Sequence, residues 1–171
     1  MIGFINIEIK AACANPDHIR EVLKNENADF IGTDRQVDTY FRVETGRLKL
    51  REGNIENALI YYVRDDLSIP KKAAGSVVLT EKGSGLKELL ARALGILTIV
   101  DKMREIYFIE NVKFHIDVVK TLGSFVEIEA QDLKGTMNEE TLLRQCKKYM
   151  TLFGIRDNDL VTSSYSDMML K

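Results

Sequence analysis

Charged residues spaced two apart recur through this chain. Arg47-x-Lys49-x-Arg51 and Lys102-x-Arg104 are basic, Glu127-x-Glu129 is acidic, and His115-x-Asp117 and Glu8-x-Lys10 are mixed. Residues two apart leave a β-strand on the same face. The residues between them are apolar: Leu48, Leu50, Met103, Ile116, Ile7, Ile9, Val126 and Ile128. Each segment therefore reads as a strand with one charged and one apolar face. For any single segment, a solvated strand with counter-charges on its neighbours is a sufficient account. Arginine and lysine converging from separate strands also suit phosphate oxygens, through forked hydrogen bonds and point charge. Arg64 fits the same set. Glu127 and Glu129 can bridge to those cations. They can also hold Mg²⁺ or Mn²⁺, hard cations that take oxygen ligands and keep waters and phosphates in their shell. Glu8 would complete a three-carboxylate site if its strand lies beside theirs, and Asp117 is a further ligand or a supporting partner. Together the two signs point to a metal with a polyphosphate. His115 reads as a satisfied polar side chain and His18 as a surface residue. Gly83-Ser84-Gly85 precedes a helix but lacks the Lys-Ser/Thr ending of a phosphate loop.

Such charges need a scaffold that turns them toward one place. Phe4 to Lys10 alternates polar and apolar as a strand and runs on to about Cys13. Further strands are expected over 36–43, 46–52, 58–64, 75–80, 96–109, 112–119 and 124–130, and 161–170 reads as a closing one. The segment 68–72 reads as an exposed link. Asn15-Pro16 opens a helix carrying Ile19, Val22 and Leu23. Leu86, Leu89, Leu90, Ala93 and Leu94 form a second helical stripe, stopped by Gly95. Leu142, Cys146, Tyr149, Met150 and Phe153 form a third, with Thr136-x-x-Glu139 as its capping box. Short turns between strands make the class α+β, with an antiparallel sheet of about eight strands closed or nearly closed into a barrel. The helices cover its apolar outside. The charged face then lines a hydrated tunnel, where removing one of several like charges would relieve repulsion.

Composition sets the bounds. The 171 residues suffice for one sizeable core, read as a single domain over 1–171. A net charge of -2 gives no global pull toward nucleic acid or an anionic membrane. Cys13 and Cys146 have no metal spacing and read as reduced thiols. The N-terminus has no signal-peptide pattern, and no apolar stretch approaches a membrane span. A cytoplasmic protein is expected, and a homodimer is compatible with the sequence.

In these residues the chain resembles the CYTH superfamily, which groups class IV adenylyl cyclases with thiamine triphosphatase. The signature Glu-x-Glu-x-Lys stands here as Asn6-x-Glu8-x-Lys10. Gln36–Phe41, Gly46–Glu52, Val100–Arg104, His115–Asp117 and Phe125–Glu129 follow in family order, so the resemblance spans residue 4 to about 170. Gln36–Phe41 and Gly46–Glu52 look closer to the class IV cyclase-like branch. The resemblance implies an eight-stranded triphosphate tunnel with one or two divalent cations, Mg²⁺ or Mn²⁺. It assigns Glu8, Glu127 and Glu129 to metal, with Asp117 as a further candidate. It assigns Lys10, Lys49, Arg51, Lys102 and Arg104 to phosphate, with Arg47 and Arg64 as additional matches. Lys10 also becomes the candidate for activating the attacking group. Two departures stand out: Asn6 replaces the first signature glutamate, and Tyr165 is followed by Ser166 where family triphosphatases often carry lysine. The expected substrate is a small triphosphate (ATP, thiamine triphosphate or tripolyphosphate). Hydrolysis is preferred over cyclisation of ATP because it needs no nucleoside pocket, and none is visible in the sequence. A module that binds polyphosphate without turnover is the third option.

Overall fold

The computed structural model describes residues 2–64, 71–132 and 135–171. Eight strands alternate with helices in the order β1 (Ile2–Ala12), α1 (Pro16–Asn25), β2 (Asp29–Phe41), β3 (Arg47–Glu52), β4 (Asn57–Arg64), β5 (Lys71–Leu79), α2 (Leu86–Leu94), β6 (Ile96–Ile109), β7 (Val112–Val119), β8 (Gly123–Asp132), α3 (Glu139–Leu152) and α4 (Tyr165–Met169). All strand pairs are antiparallel, and the sheet closes as β1-β5-β4-β3-β2-β6-β7-β8. Closure satisfies both edges of the sheet and creates an inside and an outside. The link expected at 68–72 lies largely outside the described residues.

The alternation sorts side chains between these two sides. On β1, β7 and β8 the outward residues Ile7, Ile9, Phe114, Ile116, Val126 and Ile128 are buried under Ile19 and Leu23 of α1 and Leu142, Cys146 and Tyr149 of α3. Tyr149 meets Phe114 edge-on at 4.7 Å between centroids. Burying each large apolar side chain contributes about 1.5–3 kcal/mol, so this layer is the main core. The cover is one-sided. α2 buries none of its residues, and Tyr61, Val63 and Val78 stay exposed on the outer face of β4 and β5. Both thiols are free and buried, and burial pushes Cys146 up to about 12.

Three expectations change. β2 starts at Asp29, seven residues before the expected start, and its register shifts between Phe30 and Gly32, which hides the alternation. Helix α3 is capped by Asn138, whose side chain accepts from the Thr141 N–H, so no Thr136 capping box forms. The closing strand at 161–170 is instead α4. Ser164 and Asp167 form a capping box there, and Tyr165, Met168 and Met169, at helical spacing, pack against Tyr40, Val100 and Phe125.

Asp34 of β2 fixes the β3–β4 turn. Its carboxylate accepts from the backbone N–H groups of Asn54 (2.5 Å), Ile55 (2.9 Å) and Glu56 (2.9 Å), and from Gln36 Nε2 (2.9 Å). Burial pushes its carboxyl up, but these donors prevail and lower it. Asp34→Ala is expected to destabilise the fold by about 3 kcal/mol, because three backbone donors lose a charged acceptor. A denaturant midpoint equal to wild type would show that the turn holds itself.

Candidate functional site

The barrel interior is a cavity of about 640 Å³. β1 contributes Asn6, Glu8 and Lys10, β2 Asp38 and Tyr40, β3 Lys49 and Arg51, and β6 Lys102 and Arg104. Lys113 and His115 come from β7, Glu127, Glu129 and Gln131 from β8, and Tyr165 from α4. The opposite wall, on β4 and β5, is largely apolar: Ala58, Ile60, Tyr62, Ala73 and Val77. An all-charged interior was expected, so this is a correction. Apolar residues lie on both faces of these strands, and alternation cannot reveal which way they face.

The cations are interleaved with anions. Asp38 lies at the centre of one group: Arg51 grips it with Nε at 2.9 Å and Nη2 at 3.0 Å, while Lys102 (2.8 Å) and Lys49 (3.1 Å) approach the same carboxylate. Burial alone would raise the Asp38 carboxyl. The charges of Arg51, Lys102 and Lys49 outweigh it and hold the group well below the usual range. Lys102 is moved down to about 7 by burial, with the charges of Arg51 and Arg104 adding and Asp38 opposing. The second group centres on Arg104, which donates to Asp117 from Nε (2.7 Å) and Nη2 (2.5 Å), and to Glu127 Oε2 (2.7 Å). Lys10 Nζ lies 3.3 Å from Glu127 Oε1 and 3.9 Å from the centre of the Tyr165 ring. The Tyr165 hydroxyl donates to Asp117 (2.8 Å).

The sequence-predicted residues separate as follows. Lys10, Lys49, Arg51, Lys102 and Arg104 all line the cavity, as do Glu8, Glu127 and Glu129. Asp117 is fully buried behind Arg104 and does not line the cavity. Arg47 reaches Asp167 of α4 at 3.1 Å and stands off the lining. The side chain of Arg64 lies outside the described residues. Asp38, Glu56, Lys113 and Tyr165 were not picked out. Asp38 continues the alternation Asp34-x-Gln36-x-Asp38-x-Tyr40, and Lys113 extends His115-x-Asp117, so period two could have found both. Glu56 sits in a turn, where period carries nothing. His115 is only half satisfied: Nδ1 meets Glu127 at 3.1 Å, while Nε2 has no partner among the described residues. Burial, aided by the Arg104 charge, moves it down to about 4, so it is neutral near pH 7.

For a divalent ion the donor set is all oxygen. Glu8 and Glu129 face each other across the β1–β8 pair. Asn6 Nδ2 donates to Glu129 Oε1, which leaves Asn6 Oδ1 buried without a partner among the described residues. Glu127 is engaged through both oxygens. Among the described residues no three His, Cys, Asp or Glu side chains are already grouped closely enough to hold an ion. One or two carboxylates with an amide oxygen fit Mg²⁺ or Mn²⁺, which fill their shell with water and phosphate.

Comparison with known proteins agrees with this architecture. The CYTH domain model matches residues 5–165. The chain belongs to the CYTH family. A Methanocaldococcus jannaschii protein with a provisional adenylate cyclase name is 22% identical, over 96% of this chain and 98% of its own. A Pyrococcus horikoshii structure is 24% identical with a TM-score of 0.79, covering 95% of this chain and 98% of that one. A Hippeastrum structure is 14% identical with a TM-score of 0.61, covering 98% and 94%. That protein has a provisional adenylyl cyclase name and is described as having a dominant triphosphatase activity. Among the described residues, no helix is long and apolar enough to cross a membrane.

Proposed function

We propose that the chain is a divalent-metal-dependent enzyme that binds a small triphosphate in the barrel and hydrolyses it. The observation that carries this is the convergence of Lys10, Lys49, Arg51, Lys102 and Arg104 from three strands on one cavity that Glu8 and Glu129 also line. Lys49, Arg51 and Lys102 set three cationic groups around the single carboxylate of Asp38, and they offer the excess of positive charge to phosphate oxygens. Arg104 and Lys10 flank Glu127 and contribute charge beside them. Glu8, Glu129 and Asn6 Oδ1 would hold Mg²⁺ or Mn²⁺, which supplies positive charge to phosphate oxygens when bound. Water attacks the terminal phosphorus in line, the bridging P–O bond breaks, and diphosphate and orthophosphate leave. Lys10 is the residue assigned to orient the attacking oxygen, held between Glu127 and the Tyr165 ring. The apolar wall of Ile60, Tyr62 and Val77 favours a second reading, in which an organic group lies there and ATP is cyclised to cyclic AMP and diphosphate.

Incubation with ATP, thiamine triphosphate and tripolyphosphate, each with Mg²⁺ or Mn²⁺, separates the readings by product. Orthophosphate release supports hydrolysis, cyclic AMP supports cyclisation, and binding without product leaves a non-catalytic module. A second prediction concerns Asn6. Asn6→Glu places another carboxylate beside Glu129. Without metal it is expected to lower the melting temperature, through like-charge repulsion. It is also expected to tighten Mn²⁺ binding by about tenfold, by replacing an amide with a charged ligand. Identical metal titrations of the two proteins would place Asn6 outside the metal shell.

A further inference from the structure

Glu56 differs from the two aspartates of the barrel wall. Asp38 and Asp117 are almost wholly buried and gripped by forked arginines. Glu56 belongs to the β3–β4 turn and keeps 26% of its side chain exposed. From that turn its carboxylate spans the lumen. Oε2 accepts from Arg51 Nη1 (2.8 Å) on β3 and from Gln36 (3.0 Å) on β2, and Oε1 accepts from Lys113 on β7. β3 and β7 are separated by β2 and β6 in the ring, so this bridge runs across the interior, not between neighbouring strands. The turn backbone is held independently, by Asp34. The Glu56 carboxylate is therefore not required to shape the turn. Lys113 faces the cavity and is paired with Glu129 across the β7–β8 ladder.

We propose that Glu56 stands in for a phosphate, and that Lys113 is a further phosphate-binding residue which Glu56 holds in reserve. The proposal rests on the triphosphate reading of the same cavity. A carboxylate bridging an arginine and a lysine offers the oxygens that a phosphate would offer, at lower charge. A triphosphate with its higher charge displaces it, and the turn lets the Glu56 side chain swing toward solvent. Arg51 and Lys113 then close on the incoming oxygens from opposite walls. Glu56 thus keeps weak monoanions out and sets a threshold of charge for entry.

The test is calorimetric titration of tripolyphosphate into wild type, Glu56→Gln, Lys113→Met, the double variant and Arg51→Ala. Glu56→Gln keeps the shape and the Gln36 contact while removing the competing charge. It is expected to bind about tenfold more tightly, and Lys113→Met about tenfold more weakly, than wild type. In the double variant the gain from Glu56→Gln should shrink, because one of the two released cations is gone. A purely structural Glu56 would show unchanged or weaker binding in Glu56→Gln, and that result overturns the proposal. So does wild-type affinity in Lys113→Met. Melting curves identify a variant that has failed to fold, and the Lys113→Met result then decides by itself. If wild type and Glu56→Gln both fail to bind tripolyphosphate, the triphosphate reading itself is lost. If wild type binds, Arg51→Ala does not and Glu56→Gln matches wild type, only the stand-in role falls.

Discussion

Arg104→Ala is expected to cost the fold about 3–5 kcal/mol, the penalty for removing one partner of a buried ion pair. Arg104 is 4% exposed and Asp117 is 0% exposed. Their forked contact is joined by Glu127, so one substitution leaves two carboxylates facing each other in the barrel wall. Tyr165 still donates to Asp117, and Lys10 and His115 still meet Glu127. Those contacts soften the loss without replacing the fork. This reverses the sequence-based expectation that removing one of several like charges would relieve repulsion. Arg51→Ala is expected to be milder, since Asp38 keeps Lys49 and Lys102. Arg104→Lys should recover part of the loss, as it returns the charge but not the forked geometry. Urea unfolding of the four proteins provides the check. An Arg104→Ala midpoint at or above wild type would mean that the wall carboxylates tolerate each other, and the pairing argument would fail.

The difference between the two arginines shows where sequence is legible. Period-two alternation exposed the cations on β3 and β6 and the acids on β8, because each strand has one face against a helix-covered or exposed apolar layer and the other in the cavity. Counter-ions are harder to see. Asp38 does follow period two from Asp34 through Gln36 to Tyr40, but only its sign separates it from the neutral residues beside it. Glu56 belongs to a turn, where side-chain direction is set by hydrogen bonds to Asp34 and not by period. Three cations on one strand face therefore implied anions somewhere, but not which ones. The apolar wall was hidden for a related reason. Ala58, Ile60 and Tyr62 face the lumen while Leu59, Tyr61 and Val63 face out, so β4 shows no polar alternation. Helix α4 was misread because a short apolar run fits either period. Ser164-x-x-Asp167 was its clearest helical signal. That helix places the Tyr165 ring beside Lys10, a contact no spacing rule could supply.

Lys102 should make triphosphate binding depend on pH in a predictable direction. Its ammonium is moved from its ordinary value of 10.5 down to about 7, by burial first and then by the charges of Arg51 and Arg104, with Asp38 opposing. In the unfolded chain it titrates near its ordinary value. Between about pH 7 and 10.5 the unfolded state binds more protons, so this group makes stability rise with pH across that window. Below about pH 7 both states are protonated, and the full burden of burying the ammonium is present. A polyanion beside Lys102 stabilises the ammonium and raises its pKa again. Binding at about pH 8.5 should therefore take up a large fraction of one proton, and affinity should fall by up to about tenfold per pH unit above neutrality. Lys102→Met removes both effects. It is expected to weaken tripolyphosphate binding by about tenfold to a hundredfold. Its stability should stay within about 1 kcal/mol of wild type, because Asp38 retains Arg51 and Lys49 while an ammonium no longer has to be buried. Titrations in two buffers of different ionisation enthalpy measure the proton uptake directly. Equal heats in both buffers for wild type, or an uptake that survives in Lys102→Met, would show that Lys102 is not the group that answers to the bound anion.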